Sequence, residues 1–138
     1  MEYTKLHVNA KMEAAIGKVW TYYTDPNHIT KWNFANDDWQ CPSATNDMQQ
    51  GGKYFARMEA KDGSFGFDFE AIIEYVEINR QFSYIMSDGR RADILFTNDD
   101  NTTAVTITFD ADTENTLELQ EAGWQAILNN FKAYVITN

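Results

Sequence analysis

The chain has 138 residues, 43% of them hydrophobic and 14% aromatic, enough for one domain to bury a core without cross-links. Its formal charge of −10, from 21 acidic against 11 basic side chains, argues against nucleic acid or an anionic membrane surface as partner, since both are bound through basic patches. A single cysteine, Cys41, excludes an internal disulfide, and no apolar run approaches the roughly 20 residues that cross a bilayer.

Residues 4 to 12, "TKLHVNAKM", alternate. Leu6, Val8, Ala10 and Met12 share one face and Lys5, His7, Asn9 and Lys11 the other, the period of a half-buried strand. In "AAIGKVWTYYT" the spacing becomes helical, with Ile16, Val19, Trp20 and Tyr23 on one stripe. A second short helix is predicted over "DPNHITKW": Asp25 accepts the first free N–H groups, Pro26 suits the first turn, and Ile29 and Trp32 face inward. Then comes "WNFANDDWQCP", residues 32 to 42, which gathers two tryptophans, a phenylalanine, two adjacent carboxylates, the cysteine and a proline. From residue 51 to about 112 the pattern is strand after strand: "GGKYFARMEA", "FGFDFEAIIEYVE", "QFSYIMS", "RRADILFT" and "TTAVTITFDAD". Asp62-Gly63 and Asp88-Gly89 supply the positive φ of tight turns and "NDDN" at 98–101 a longer one, so the sheet is expected to be antiparallel. Its inner face is placed at Tyr54, Ala56 and Met58, then Phe67, Phe69, Ala71 and Ile73. It continues through Phe82, Tyr84 and Met86 to Val105, Ile107 and Phe109. The C-terminal stretch is helical again, with Trp124, Ile127, Leu128, Phe131, Tyr134 and Val135 opposite Gln125, Asn129 and Lys132. No repeat or linker divides the chain, so residues 1–138 are expected to form one α+β domain.

Four stretches carry a resemblance: "VWTYYTDPNHITKWN", "GGKYFARMEAKDGSFGFDFE", "SDGRRADILF" and "EAGWQAILNNFKAYV". They resemble the bacterial branch of the activator of Hsp90 ATPase homologue-like family, also labelled polyketide-cyclase-like or SRPBCC, within the START/Bet v 1 superfamily. The likeness covers roughly residues 4 to 136. It implies the helix-grip fold, a curved antiparallel sheet of about six or seven strands around a long C-terminal helix, with two short helices after the first strand. Ala15, Ala71 and Ile78 depart from the proline, glycine and proline common in relatives, which touches turns and packing more than chemistry.

Catalytic readings of the residues are weak. Asp37 and Asp38 could form an acid/base pair if one were desolvated, but adjacent residues in an extended segment point to opposite sides. Such a pair more often holds a turn. Cys41 has acidic or neutral sequence neighbours, a setting that does not favour a thiolate. His7 and His28 read as surface residues, and with Cys41 they lack any metal-ligand spacing. No phosphate-binding loop or EF-hand pattern occurs. The expectation is no catalytic residue, no metal and no cofactor.

What remains is apolar. Trp32, Phe34 and Trp39 precede a sheet carrying Tyr54, Met58, Phe67, Phe69, Ile73, Tyr84 and Met86, closed by a helix bearing Trp124 and Leu128. These are the candidate lining of an internal pocket, with Asp37 or Asp38 on its polar rim. Among polar groups, the Tyr54 and Tyr84 hydroxyls are candidates for the interior, whereas Arg57, Asp68 and Glu70 fall on the outer parity. In this superfamily such a space commonly holds lipids, polyketides or other hydrophobic ligands. The resemblance therefore implies binding of a hydrophobic small molecule; with no catalytic residue expected the reading is non-enzymatic, and the lone cysteine fits a cytoplasmic protein. The alternatives are activation of an Hsp90-type chaperone ATPase and a cyclase- or hydrolase-type enzyme built on the same cavity. Membrane insertion and nucleic-acid binding are not expected.

Overall fold

The computed structural model describes residues 3–138, leaving Met1 and Glu2 outside the description. In chain order it contains β1 (Lys5–Met12), α1 (Ile16–Thr24), α2 (Pro26–Trp32), β2 (Trp39–Asn46), β3 (Lys53–Ala60) and β4 (Gly66–Glu77), followed by β5 (Gln81–Met86), β6 (Arg91–Asp99), β7 (Thr102–Asp110) and α3 (Leu117–Thr137). The seven strands form one antiparallel sheet in the order β1-β7-β6-β5-β4-β3-β2, curled into a half-barrel that grips α3.

Alternation dictates the strands. In β1 every second residue is buried, from Leu6 to Met12, and Tyr54, Ala56, Met58, Phe82, Tyr84, Met86, Val105, Ile107 and Phe109 all turn inward. Gly63 and Gly89 take the positive φ that the Asp-Gly turns require, +78° and +91°. Asp62 and Asp88 each accept the backbone N–H two residues on, which fixes the turns further.

Strand β2 is absent from the sequence reading. Its residues, "WQCPSATN", neither alternate nor favour extended structure, and Pro42 argues against a central strand. The structure places it at the border of the sheet, where the proline's missing N–H costs no ladder bond. Its pairing with β3 breaks between Gln40 and Ser43, so the bulge falls on Cys41 and Pro42.

The helical corner is held by side chains. Thr21 O receives the Asp25 N–H, but the residue four beyond Tyr22 is Pro26, which has no N–H to offer. The indole of Trp32 supplies that donor instead, Nε1 to Tyr22 O at 2.9 Å. Asn46 of β2 donates to Thr24 O at 2.8 Å, and Asp25 caps α2 by accepting the Asn27 N–H at 2.9 Å.

Helix α3 is capped by Thr116, whose hydroxyl accepts the Leu119 N–H at 3.1 Å. Its inner stripe buries Leu128, Phe131 and Val135, and Trp124 stacks on Phe109 with ring centroids 4.1 Å apart. Gln125 departs from its expected solvent-facing position. Strand β1 borders the sheet, so its outer backbone groups have no strand partner, and the Gln125 amide donates to Asn9 O at 2.9 Å. Asn130 reaches the end of α2 in the same way, donating to Trp32 O at 2.8 Å. His28 is likewise half-buried rather than on the surface, stacked on Tyr22 at 4.0 Å and 2.7 Å from the Tyr134 hydroxyl.

Candidate functional site

Between the curled sheet and α3 lies an apolar cavity of about 160 Å³. Its walls come from every layer of the fold. Strands β3, β4 and β5 contribute Tyr54 and Met58, Phe67 and Phe69, and Tyr84, while β7 contributes Ile107. The roof is Trp124, Ile127 and Leu128 of α3, and the helical corner closes one side with Tyr23, Trp32 and Asn33.

Small neighbours shape this space. Tyr54 pairs across the sheet with Ala71, whose methyl group leaves room above β4. The Tyr54 and Tyr84 rings lean over that strand and meet at 5.7 Å, nearly parallel at 21°. Phe69 stands edge-on to both, at 5.9 and 5.7 Å. On the other side Tyr23 packs against Trp32 at 4.9 Å and Phe131 at 5.0 Å.

The polar side-chain groups among the lining residues are three phenols, one amide and the indole N–H groups of Trp32 and Trp124, the former already given to Tyr22 O. Tyr23, Tyr54 and Tyr84 are 8%, 6% and 6% exposed, and none of their hydroxyls hydrogen bonds to a described residue. Burial pushes all three well above the usual tyrosine range, so each stays neutral at any physiological pH. The three are close enough that ionising Tyr84 would raise Tyr23 and Tyr54 further. Cys41 is close enough to Tyr54 for their charges to couple, and burial raises its thiol too, which opposes the thiolate a nucleophile needs. No carboxylate, histidine, lysine or arginine lines the cavity.

Phe67 is the one lining residue that is also well exposed, at 42%. It therefore stands where the cavity meets solvent. Trp39 and Phe65 pack around it, with centroids 6.4 and 6.1 Å from its ring.

Of the residues expected to line a pocket, Trp32, Tyr54, Met58, Phe67, Phe69, Tyr84, Trp124 and Leu128 are brought together here. Four are not. Ile73 and Met86 have the right parity but are packed into solid core, Phe34 is half-buried against that core, and Trp39 belongs to the outer aromatic cluster. Asp37 and Asp38 do not form a rim: both are exposed in the turn before β2. That turn is held by Asn36, whose side chain accepts the Asp38 N–H at 2.9 Å. Arg57 and Glu70 point outward into ion pairs with Asp68 and Lys53. Sequence reasoning missed Tyr23, Asn33, Ile107 and Ile127. Tyr23, Ile107 and Ile127 were on inward stripes, but periodicity does not say which inward residue borders a void.

The family model described as activator of Hsp90 ATPase homolog 1-like protein matches residues 13–136. The chain belongs to this family. A solution structure of an AHSA1-like protein from Aeromonas hydrophila is 42% identical, covers 97% of this chain and 93% of its own, and superposes with a TM-score of 0.91. A solution structure from Cytophaga hutchinsonii is 44% identical over 97% and 93% of the two chains, with a TM-score of 0.83. At 16% identity, a Nitrosomonas europaea protein still covers 96% of this chain and 94% of its own with a TM-score of 0.82, which shows the shared fold. No curated protein matches the chain. Among the described residues no helix is long and apolar enough to cross a membrane.

Proposed function

We propose that this family member binds a small hydrophobic molecule in the cavity between the sheet and α3, without transforming it. The observation that carries the reading is an apolar space of about 160 Å³ between the sheet and α3, walled by buried core residues. Empty space inside a core is costly, at roughly 24 cal/mol per Å³ in large-to-small substitutions. Dry apolar cavities of about 150 Å³ take up benzene, so this one suits a single substituted ring or the end of a longer apolar molecule. Drug-sized ligands usually occupy about 300 Å³ or more. The lining supports binding over catalysis, because its only titratable groups are phenols held neutral by burial.

Native mass spectrometry after incubation with a lipid and metabolite extract tests this, together with an amide NMR titration using toluene. A retained ligand, or toluene-induced shifts confined to the cavity walls, is the expected result. No retained mass and no shift at saturating toluene would overturn the reading. Stimulation of an Hsp90-type ATPase is a second reading, favoured by the family's description and by the exposed Phe65 and Phe67 clustered on half-buried Trp39. Unchanged turnover of the host's own chaperone on addition of this protein would remove it.

A further inference from the structure

Three buried phenols without partners are an anomaly that the apolar reading alone does not use. A buried hydroxyl that makes no hydrogen bond forfeits the bond it had with water, and native cores rarely leave one so. Here three occur together, from α1, β3 and β5, each more than nine-tenths buried and each on the cavity wall. The described atoms that are fully sealed and unpartnered are Asn46 Oδ1 and Ser83 Oγ, so the tyrosine hydroxyls differ in kind: they open into the cavity. Each phenol has a proton to place on some acceptor, and apart from the phenol oxygens themselves the lining side chains offer one, the Asn33 carbonyl oxygen, whose own NH2 group makes a weak contact with Cys41 Sγ at 4.0 Å.

Resting on the binding reading above, we propose that Tyr23, Tyr54 and Tyr84 form a donor cluster selecting neutral, ring-sized ligands that carry a carbonyl-type oxygen. A carbonyl has two lone pairs and no proton, so it can accept directly from two of these hydroxyls, while the third can donate to a neighbouring phenol oxygen. Neutrality follows from the walls: no lysine, arginine or histidine is present to compensate a carboxylate or phosphate stripped of water. Burial acts in the same direction, holding the phenols protonated and thus able to donate. A site built this way still admits an apolar ring but binds the oxygen-bearing analogue more tightly, since without the oxygen its donors stay unpaired.

The test compares acetophenone with α-methylstyrene, in which a methylene group replaces the carbonyl oxygen, and with benzoate as the charged control. Affinities are measured by amide NMR titration for the wild-type protein, for Tyr23→Phe, Tyr54→Phe and Tyr84→Phe singly, and for the triple variant. The wild type is expected to bind acetophenone at least as tightly as α-methylstyrene, and benzoate at least tenfold more weakly. Each single change should weaken acetophenone roughly two- to tenfold and leave α-methylstyrene within about twofold, with the largest ketone-specific loss in the triple variant. The single variants keep the proposal testable should the triple fail to fold. If α-methylstyrene binds but the ketone loses nothing specifically, or benzoate binds as well as acetophenone, the donor cluster is overturned and the cavity reading stands. If neither neutral probe binds the wild type, the cavity reading fails and the proposal with it.

Discussion

Replacing Trp32 with phenylalanine separates the two jobs this side chain performs. The indole is 2% exposed and packs between Tyr23 at 4.9 Å and Phe131 at 4.8 Å, so it fills the core as well as bordering the cavity. Its Nε1–H also satisfies Tyr22 O, the carbonyl that Pro26 cannot serve. Phenylalanine keeps most of the apolar contact but removes the donor, leaving a polar atom unpaired at a cost of about 1–3 kcal/mol. The smaller ring leaves a void worth roughly 1–2 kcal/mol more. The expected destabilisation is therefore about 2–5 kcal/mol, a large share of the 5–15 kcal/mol typical of a domain. Urea unfolding followed by far-UV circular dichroism reads it directly. With a slope of about 1–3 kcal/mol/M, the midpoint should fall by roughly 1 M or more at unchanged slope. Trp39→Phe is the internal control, because Trp39 is half-buried and packs only against Phe65 and Phe67 among aromatic rings. A Trp32→Phe loss below about 1 kcal/mol, or no larger than that of Trp39→Phe, would refute the account of the corner.

Three further outcomes follow from local chemistry. Gln120 is 8% exposed, accepts the Asp112 N–H at 2.7 Å and donates to Asn115 O at 3.0 Å, so Gln120→Leu should cost about 1–3 kcal/mol in the same urea assay by orphaning the backbone that leads into α3. A Cβ on Gly52 would lie 2.0 Å from Asp47 O, a backbone atom that cannot swing away. Gly52→Ala should therefore cost at least ~2 kcal/mol, seen as a lower thermal midpoint. The Asp112 carboxylate is held below the usual range by the backbone N–H of Asn115 above all. A lowered folded pKa adds stability that is fully present above the unfolded value near 3.9 and is lost as pH falls through the folded one. Asp112→Asn should accordingly flatten the fall in thermal midpoint between about pH 4 and pH 2.

Local periodicity reaches a long way into this fold because most strands are half-buried and joined by tight turns. The alternation in "TKLHVNAKM" and the Asp-Gly pairs leave little freedom of register, and the structure keeps them. The family resemblance and the helix-grip architecture agree with the matched family model and the similar structures. Strand β2 was invisible for a physical reason: it borders the sheet, needs bonds on one side only, and tolerates Pro42 and polar residues that a central strand would not. The candidate pocket was legible as a face but not as a boundary. Ile73 and Tyr84 are register partners on adjacent strands and both turn inward, yet only Tyr84 borders the void. That difference depends on how Ala71, Tyr54 and Tyr23 fit together in space, which spacing along a chain does not encode. Asn33 was missed for the same reason, since only the turn after α2 aims it at the cavity.

The border strands β1 and β2 never pair, so the half-barrel is left with a long seam. Side chains stitch it to the helices: Gln125 of α3 to Asn9 on one lip, Asn46 of β2 to Thr24 at the end of α1 on the other, and Asn130 tying α3 to the end of α2. Under the binding reading proposed above, a guest entering through this seam, or past Phe67, would part side chains while every ladder between strands stays whole. Amide exchange should register that asymmetry, with occupancy slowing α2 far more than the central strands β5 and β6.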